Sequence, residues 1–254
     1  MPEKLPKGVR RIGLNGSAAG TAGAFTRMRV LESDLREIEE NLAIEEALVR
    51  QTERGVLSLL FWRNEACVVI GRHQDPEAEC RMDAAEKLGV RIARRRTGGG
   101  AVFQDAGNLN VSFMATADSL DEEICERILL RALAKCGIRA RRTGRNDLVL
   151  EEGESFHQEG TSGAGEGGKF SGSASLQTPE GNFLFHATLM FHVDLDRMTA
   201  VLKASPDKLA RHRIASVRSR VANLCDAYPD LRMETVMTAI IAESAAFLQS
   251  GRRV

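Results

Sequence analysis

The sequence VRIARRRTGGGAVF, residues 90–103, joins an alternating apolar and polar pattern to a run of three glycines. The alternation over 90–94 predicts a β-strand that leads into Gly98, Gly99 and Gly100. Glycine adopts positive φ angles and lets the backbone approach a ligand closely. Because N–H groups beside arginines form an anion-binding concavity, the segment predicts a phosphate-binding loop. Its spacing matches neither a P-loop nor GxGxxG, and a glycine turn beside a solvated basic face is the alternative interpretation.

Helical and strand patterns alternate around this loop. Asp34 is a candidate N-cap for a helix that runs to Leu48, and Gly89 is expected to end a helix over 77–88. Further helices are predicted over 121–136 and 233–248. Strands are predicted at 30–31, 56–62, 66–71, 109–114, 148–150, 169–174 and 183–191.

The apolar runs 56–62 and 66–71 are separated only by turn residues 63–65, which predicts a β-hairpin. Because hairpin-like pairs stand beside interleaved helices, the sequence predicts an α+β fold rather than a doubly wound one. We expect a mixed, largely antiparallel sheet flanked by helices.

Two segments lack the pattern of a packed core. Residues 1–26 include GLNGSAAGTAG at 13–23, which is small and polar, so we expect a disordered N-terminal extension before a folded domain over 27–254. Residues 151–168 are rich in Glu, Gly and Ser without apolar periodicity, which predicts a mobile loop.

The composition excludes several classes of protein. Lys+Arg and Asp+Glu number 35 each, so the net charge is 0, which argues against a nucleic-acid partner. The five cysteines form no CxxC pair, which predicts neither a zinc nor a redox site and fits a reducing cytoplasm. No apolar run reaches the roughly 18 residues that a membrane span needs. We therefore expect a soluble cytoplasmic protein without a membrane partner.

Three further segments carry polar residues near predicted strands: GNLNVSF at 107–113, GRNDL at 144–148 and KFSGSA at 169–174. Lys169 stands in a strand of small residues directly after the predicted loop. One ammonium group placed there can neutralise an acyl carboxylate and an α-phosphate together, which is what an adenylation reaction requires. A surface lysine is the alternative interpretation for Lys169 taken alone.

The order of seven segments resembles the lipoate–protein ligases, whose catalytic fold is shared with biotin ligases and octanoyltransferases. The resemblance covers about residues 29 to 250. The segments are GRHQ at 71–74, RRRTGGGAVFQD at 94–105, GN at 107–108, GRND at 144–147, KFSGSA at 169–174, His186, and SVRSRVANL at 216–224.

The resemblance implies a reaction in two steps. Lipoate attacks the α-phosphate of ATP to give lipoyl-AMP, and a lysine of an acceptor lipoyl-domain or lipoate-carrier protein then takes the lipoyl group. It implies that Lys169 is the catalytic residue and that Asp147 helps to hold Mg²⁺ or to orient phosphates. The implied ATP-binding residues are Arg95, Gly98, Gly99, Gly100, Ala101, Val102, Phe103, Asn108, Asp147 and Lys169. The implied substrate-binding residues are Arg72, Gln104, Ser171, Gly172 and His186.

Three residues depart from the family's pattern. Gln104 stands where these ligases usually carry His, Arg96 where a small residue is common, and Ala187 where Gly commonly follows the His. Gln104 predicts a change in acyl-pocket polarity or substrate preference. The resemblance also leads us to expect that the small C-terminal accessory domain, which assists adenylation in many bacterial ligases, is absent from this chain. We expect a separate accessory subunit to supply it, because the lysine and the glycine loop are both intact, and a protein that only transfers a preformed acyl group is the alternative.

Alternative functions remain open at this point. An octanoyl- or lipoyl-transferase with a cysteine nucleophile is disfavoured because residues 144–186 contain no cysteine, but lysine-using octanoyltransferases are not distinguished. A non-catalytic lipoate-binding protein would keep the acyl pocket and lose the nucleotide loop. Biotin ligation is disfavoured because a GRGRxG-type loop is absent. The preferred acyl chain, the acceptor and the oligomeric state are not determined by the sequence.

Overall fold

The computed structural model describes residues 5–12, 25–144, 146–151, 168–203 and 221–250. The strands are β1 (Val9–Arg11), β2 (Arg27–Ser33), β3 (Val56–Trp62), β4 (Cys67–Ile70), β5 (Arg91–Arg94), β6 (Val102–Gln104), β7 (Asn108–Thr116), β8 (Ala140–Thr143), β9 (Asp147–Leu150), β10 (Lys169–Gln177) and β11 (Asn182–Met190). The helices are α1 (Ile38–Arg50), α2 (Pro76–Glu79), α3 (Met82–Lys87), α4 (Glu122–Lys135), α5 (Leu195–Val201), α6 (Leu224–Ala227) and α7 (Met233–Ser250).

The strands form two sheets. The large sheet has the order β1-β2-β3-β7-β11-β10-β9-β8, and the small sheet has the order β5-β4-β6. The pairs β2–β3 and β4–β5 are parallel, and the remaining pairs in the described residues are antiparallel. The predicted mixed, largely antiparallel α+β fold is therefore confirmed. The parallel pair β2–β3 follows from α1, since a crossover helix brings the chain back to start the next strand in the same direction.

The large sheet is covered on both faces. On one face Phe61, Phe113 and Phe185 are buried in a core that includes Leu129 of α4 and Ile240 of α7. The rings of Phe113 and Phe185 meet edge to face with centroids 6.0 Å apart. On the opposite face the large sheet packs against α1 and the small sheet through a second core. That second core includes Leu60, Trp62, Met114, Leu184, Ile44, Leu48, Val69 and Ala93.

The hairpin predicted for 56–71 is wrong. β3 pairs with β2 and β7 in the large sheet, whereas β4 pairs with β5 and β6 in the small one. The connecting Asn64 is fully buried and bonds to Asn41 and Gln104, so the chain crosses from one sheet to the other at this residue. Local sequence cannot distinguish this crossing from a turn because the bonding partners of Asn64 are distant in the chain.

The helix predicted over 77–88 is divided into α2 and α3. Cys80 lies between them in an extended conformation, with φ −124° and ψ 149°, and forms an isolated β-bridge with Leu202. Gly89 follows α3 with φ +60° and ends it as predicted. The prediction that Asp34 caps the first long helix is also wrong, because α1 begins at Ile38 with Glu37 as its N-cap residue.

Several other predictions are confirmed with small shifts of boundary. The strands predicted at 109–114, 148–150, 169–174 and 183–191 correspond to β7, β9, β10 and β11. Asp121 caps α4 by accepting a hydrogen bond from the N–H of Ile124. The sequence patterns do not predict β6, which follows the glycines directly, or β8, which is a short polar strand.

The N-terminal prediction of disorder is wrong for Val9–Arg11. These residues form the edge strand β1, and Arg10 pairs with Glu32 of β2 at 2.8 Å. Residues 13–24 and 152–167, on which the other expectations of disorder and mobility fall, lie outside the described residues. In the described part of the chain, no helix is both long and apolar enough to cross a membrane.

An ion-pair cluster links the two long helices behind the sheet. Glu243 of α7 is almost fully buried, and its carboxylate contacts Arg131, at 2.9 Å, and Lys135 of α4. The hydrogen bond from Lys135 is the largest cause that lowers the pKa of Glu243. A carboxyl group with a lowered pKa stabilises the folded state above its unfolded pKa, and this contribution is lost as the pH falls through the folded value.

We predict that Glu243→Gln lowers the free energy of unfolding at pH 7 by about 1 to 3 kcal/mol, because two cations lose a buried charged partner. The difference from the native protein should shrink as the pH falls from the unfolded-state pKa of a glutamate, about 4.3, through the lowered pKa of the folded carboxyl group. Urea unfolding at pH 7 and pH 3 measures both quantities. Glu234→Gln, at an exposed position of the same helix, is the matched control. An equal loss of stability at both pH values would show that the charge of the Glu243 carboxylate does not cause the effect.

Candidate functional site

A cavity of about 190 Å³ lies between the large sheet and the small sheet. Its floor is formed by strands of the large sheet, its roof by β4 and β6, and one side by α1. The lining residues are Leu42, Trp62, Val69, Arg95, Gly99, Gly100, Ala101, Val102, Gln104, Asn110, Asn146, Asp147, Lys169, Gly172, Ser173, Ala174, His186, Ala187 and Thr188. Four of these residues, Leu42, Trp62, Val69 and Val102, pack together and form an apolar wall, and the rest of the lining includes cationic, carboxylate and amide groups.

Strand register brings the floor residues into one row. Asn110 lies opposite both Trp62 and Thr188, and Gly172 lies opposite Asp147. The Oγ1 of Thr188 accepts a hydrogen bond from the N–H of Gly172 at 3.0 Å, which joins the two halves of the row. Residues far apart in the sequence thus share one face of the sheet because side chains alternate along each strand.

Lys169 reaches this row from the first position of β10. Its Nζ lies 2.7 Å from Oδ1 of Asp147, and both side chains are about one third exposed (32% and 39%). The register of β10 against β9 shifts between Lys169 and Ser171, as at a β-bulge, which re-aims the side chain. The ammonium group lies over Gly172, where a Cβ would be 3.4 Å from the lysine Nζ, which is an ordinary contact distance.

Arg95 organises the glycine loop. Its side chain is only 7% exposed, and it donates hydrogen bonds to Oγ1 of Thr97 and to the carbonyl oxygens of Val69, Gly98 and Gly100 at 2.6–2.9 Å. Burial lowers the pKa of Arg95 to about 10, so the guanidinium stays charged at neutral pH. Arg95 therefore holds the shape of the loop through its carbonyl groups.

The segment GRHQ at 71–74 supports the glycine loop from outside. A Cβ on Gly71 would lie 2.1 Å from the carbonyl oxygen of Gly99, so the two backbones can meet only at a glycine. Nη1 of Arg94 donates to the carbonyl oxygens of Gly71, Arg72 and Gln74, at 3.1, 3.2 and 2.6 Å. Arg72 itself is exposed and does not line the cavity, so the structure places it apart from the other predicted substrate-binding residues.

Two buried polar side chains bound the cavity on either side of the loop. Nε2 of His186 lies 3.0 Å from Oγ1 of Thr97, and its Nδ1 lies 3.0 Å and 3.2 Å from the carboxylate oxygens of Glu45. Oε1 of Gln104 accepts hydrogen bonds from Nδ2 of Asn64, at 2.6 Å, and of Asn110, at 3.2 Å. Both side chains are therefore held in fixed orientations.

Most of the predicted site residues meet in this cavity. Those that line it are Arg95, Gly99, Gly100, Ala101, Val102, Gln104, Asp147, Lys169, Gly172 and His186. Those that do not are Arg72, Gly98, Phe103, Asn108 and Ser171. Phe103 alternates with Val102 and Gln104 along β6 and packs into the core instead. Asn108 and Ser171 are buried, and their side-chain polar atoms find no hydrogen-bond partner in the described residues.

Sequence reasoning missed several lining or supporting residues, namely Trp62, Thr97, Asn110, Thr188, Asn41 and Glu45. Two of these residues, Asn41 and Glu45, could have been predicted from the sequence. They stand four residues apart on the apolar face of α1, where a polar side chain needs a buried partner. Asn110 stands in the same polar segment as the predicted Asn108, at the next position on the same face of β7.

The cysteines do not contribute to the cavity. All five lie in the described part of the chain as free thiols, and none of them lines the cavity. Burial raises the pKa of each thiol above its ordinary value. A nucleophilic thiolate requires the opposite shift.

Comparison with known proteins agrees with this geometry. Residues 37–245 match the family described as the lipoyl protein ligase A/B catalytic domain. The chain belongs to this family. The match spans the glycine loop, Lys169 and His186, so the whole cavity lies within the family's catalytic domain.

Solved structures of lipoate–protein ligases resemble the chain over most of its length. A bipartite lipoate–protein ligase system of Thermoplasma acidophilum, studied with its E2 lipoyl domain, shows 31% identity and a TM-score of 0.71 over 90% of this chain and 84% of the other. A protein of the same organism with bound lipoic acid shows 28% identity and a TM-score of 0.69, over 89% and 86%. A lipoate–protein ligase A bound with ATP shows 31% identity and a TM-score of 0.65, over 82% and 79%.

We predict that Gly71→Ala destabilises the protein, because the new methyl group would meet the carbonyl oxygen of Gly99. The clash must displace the glycine loop or the 71–74 turn, at a cost of about 1 to 3 kcal/mol. Gly98→Ala is the matched control for folding, since a Cβ there has no heavy atom within 4 Å. Thermal unfolding compares the two variants. Equal melting temperatures for Gly71→Ala and the native protein would show that the two backbones can move apart at no cost.

Proposed function

We propose that this protein is an ATP-dependent lipoate–protein ligase, which activates lipoate as lipoyl-AMP and transfers the lipoyl group to a lysine of an acceptor lipoyl-domain or lipoate-carrier protein. The observation that carries the proposal is the position of Lys169. Its ammonium group, paired with Asp147, lies in the same cavity as the glycine loop and the apolar wall. One cation can therefore meet the carboxylate of an acyl substrate and the phosphate of a nucleotide.

The apolar wall supports lipoate as the acyl substrate. Leu42, Trp62, Val69 and Val102 line it, and an extended acyl chain gains by leaving water there. The related protein of T. acidophilum was solved with bound lipoic acid. Gln104 and His186 add polar groups to the same wall, so they are the residues that we propose to orient the acyl group. Ser171 and Arg72 lie outside the cavity and receive no direct role in this proposal.

The glycine loop supports ATP as the second substrate. The N–H groups of Gly98, Gly99 and Gly100 donate to no protein acceptor in the described residues, so they can bind phosphate oxygens. The ATP-bound lipoate–protein ligase A is 31% identical to this chain over the part that matches. Asn108 lies outside the cavity and, like Arg72 and Ser171, receives no direct role in this proposal.

Two bond exchanges make up the proposed reaction. A carboxylate oxygen of lipoate forms a bond to the α-phosphorus, and the bond from that phosphorus to pyrophosphate breaks. The uncharged amine of the acceptor lysine then attacks the acyl carbon, AMP leaves, and the amine loses a proton to solvent. Lys169 stabilises the negative charge that is shared between carboxylate and phosphate in the first step, and the loop N–H groups position the phosphates.

Mg²⁺ fits this site only as an ion shared with the substrate. The residues that the structure describes contain no group of three or more His, Cys, Asp or Glu side chains that could hold a metal. Mg²⁺ commonly takes one or two carboxylates together with substrate phosphates, and Asp147 offers one such carboxylate. Bound in that way, the ion would neutralise phosphate charge, while Asp147 also holds Lys169 near the floor of the cavity.

A separate accessory subunit is part of the proposal. The similar ligase of T. acidophilum is bipartite, and this chain covers 84% of the matched chain in that system. We propose that residues 27–254 act as the catalytic domain and that a second polypeptide assists adenylation, as we expected from the sequence.

We predict that purified apo acceptor domain gains one lipoyl group when it is incubated with this protein, lipoate and Mg-ATP. The assay is run with and without a candidate accessory chain, which should increase the rate. Lys169→Ala should lower the rate by about 100-fold or more, because it removes the cation that stabilises the transition state. Lys87→Ala, at an exposed position of α3, is the matched control. Intact-mass spectrometry of the acceptor measures the transfer.

Two results of this experiment would contradict the proposal. Transfer from an octanoyl carrier protein without ATP would identify a transferase, and loss of that transfer in Lys169→Ala would show that it uses Lys169. Binding of lipoate without any modification of the acceptor, with or without the accessory chain, would identify a lipoate-binding protein.

We also predict that thiol alkylation leaves the activity unchanged. The five thiols lie outside the cavity, and burial raises the pKa of each, so they react slowly and none is needed as a nucleophile. Transfer activity after treatment with iodoacetamide under native conditions, with mass spectrometry of the modified sites, measures this. Inactivation that follows the modification of a single cysteine would instead favour a cysteine-dependent transferase.

A further inference from the structure

We propose that Asn41 and Glu45 of α1 are positioning residues that hold the two ends of the segment 97–104, which carries the glycine loop. The effect of this positioning on catalysis rests on the proposed function. The two residues lie one helical turn apart and are buried, with 0% and 4% of their surface exposed. Each begins a chain of hydrogen bonds between side chains, and the two chains reach Thr97 and Gln104.

The first chain runs from Glu45 to Thr97. The Glu45 carboxylate accepts a hydrogen bond from Oγ of Ser112 at 2.5 Å and lies 3.0 Å from Nδ1 of His186. A carboxylate only accepts hydrogen bonds, so Nδ1 carries the proton, and Nε2 of a neutral ring can then accept from the hydroxyl group of Thr97. The Oγ1 of Thr97 in turn accepts from Nε of Arg95 at 2.9 Å. All donors and acceptors in this chain are matched.

The second chain runs from Asn41 to Gln104. Nδ2 of Asn41 donates to Oδ1 of Asn64 at 2.8 Å, and Nδ2 of Asn64 donates to Oε1 of Gln104 at 2.6 Å. Oδ1 of Asn41 accepts from Oγ of Ser33 at 2.6 Å, which fixes the orientation of the first amide. Every amide in this chain therefore has one defined orientation.

The loop between these two anchor points has few constraints of its own. In the described residues the N–H groups of Gly98, Gly99 and Gly100 make no hydrogen bond within the protein. Glycine also has more backbone freedom than any other residue. A segment of this kind takes one conformation only if its ends and its carbonyl groups are held. Arg95 holds the carbonyl groups. The ends are held by backbone bonds, from the N–H of Arg72 to Thr97 and between β6 and β4, and α1 adds the side-chain chains that reach Thr97 and Gln104.

Apolar packing does not explain why the carboxylate of Glu45 is buried on α1. The neighbouring buried positions Ile38, Ile44 and Leu48 show that this face packs well with apolar side chains. A buried charge costs free energy unless hydrogen bonds compensate it. Leu42 of the same turn lines the cavity, so the helix that holds the loop also borders the acyl site.

Hydrogen–deuterium exchange of the ligand-free protein tests the inference without any substrate. In Glu45→Gln a neutral amide oxygen replaces the charged acceptor of Ser112 and His186, and the amide NH2 cannot accept the second contact, at 3.2 Å, from Nδ1 of His186. The chain is therefore weakened, and exchange in peptides covering 97–104 should become at least tenfold faster. Glu40→Gln, exposed on the same helix, should leave this exchange unchanged. Unchanged exchange at 97–104 in Glu45→Gln, or a uniform rise throughout the protein, would overturn the inference.

Thr97 provides a second pair of variants in case Glu45→Gln folds poorly. Thr97→Val keeps the shape and removes the hydroxyl group, so it should loosen the loop as Glu45→Gln does, whereas Thr97→Ser keeps the hydroxyl group and should behave as the native protein. The double variant Glu45→Gln/Thr97→Val should be no worse than either single variant, because both changes break one chain. Additive effects would show that the two residues act separately.

Kinetics separate positioning from a role in the acyl wall. For Glu45→Gln the KM for ATP should rise at least tenfold. The KM for lipoate should rise by a smaller factor, because His186, which we propose to orient the acyl group, loses its charged partner in the same chain. A change confined to the lipoate KM would make Glu45 a wall residue and refute the positioning role. If the native protein forms no acyl-adenylate while the loop loosens as stated, the ligase proposal fails and the positioning role stands.

Discussion

The buried guanidinium of Arg95 is the interaction on which the geometry of the cavity depends. It joins β4 to the glycine loop by donating to the carbonyl oxygens of Val69, Gly98 and Gly100. A planar guanidinium offers five N–H donors, whereas an ammonium group acts as a point charge and cannot hold three separate carbonyl groups in the same way. Because these carbonyl groups are turned towards Arg95, the glycine N–H groups are left for an anionic ligand.

Lys169, the second cation of the site, is held less tightly than Arg95. Lys169 and Asp147 are each about one third exposed, and an ion pair of that kind contributes little to stability. The ammonium group can therefore leave the carboxylate for a substrate anion at small cost. The site combines a rigid loop, held by a buried arginine, with a lysine that can change partners. This combination suits a reaction in which the charge moves from a carboxylate to a phosphate.

The position of the cavity follows from the separation of the two sheets. The chain leaves the large sheet at Trp62, crosses at Asn64 and continues in the small sheet, so the space between the sheets becomes the cavity. The same crossing explains why the predicted hairpin does not form: the side chain of Asn64 is satisfied by Asn41 and Gln104, which lie 23 and 40 residues away. Three amides buried in this way favour one arrangement of the sheets, because a misplaced sheet would leave them unpaired.

Local patterns in the sequence determined the elements and part of the site. Apolar alternation located most of the strands, glycines located the loop, and the lysine in a strand of small residues located the cation that reaches the cavity. Only the tertiary structure decided which of these residues meet. The pairing of Glu45 with His186 joins positions 141 residues apart, and the alternation of β6 turns Phe103 into the core while Val102 and Gln104 line the cavity. The physical reason is that hydrophobic periodicity reports a residue's immediate neighbours, whereas burial and hydrogen bonding depend on which strands are packed together.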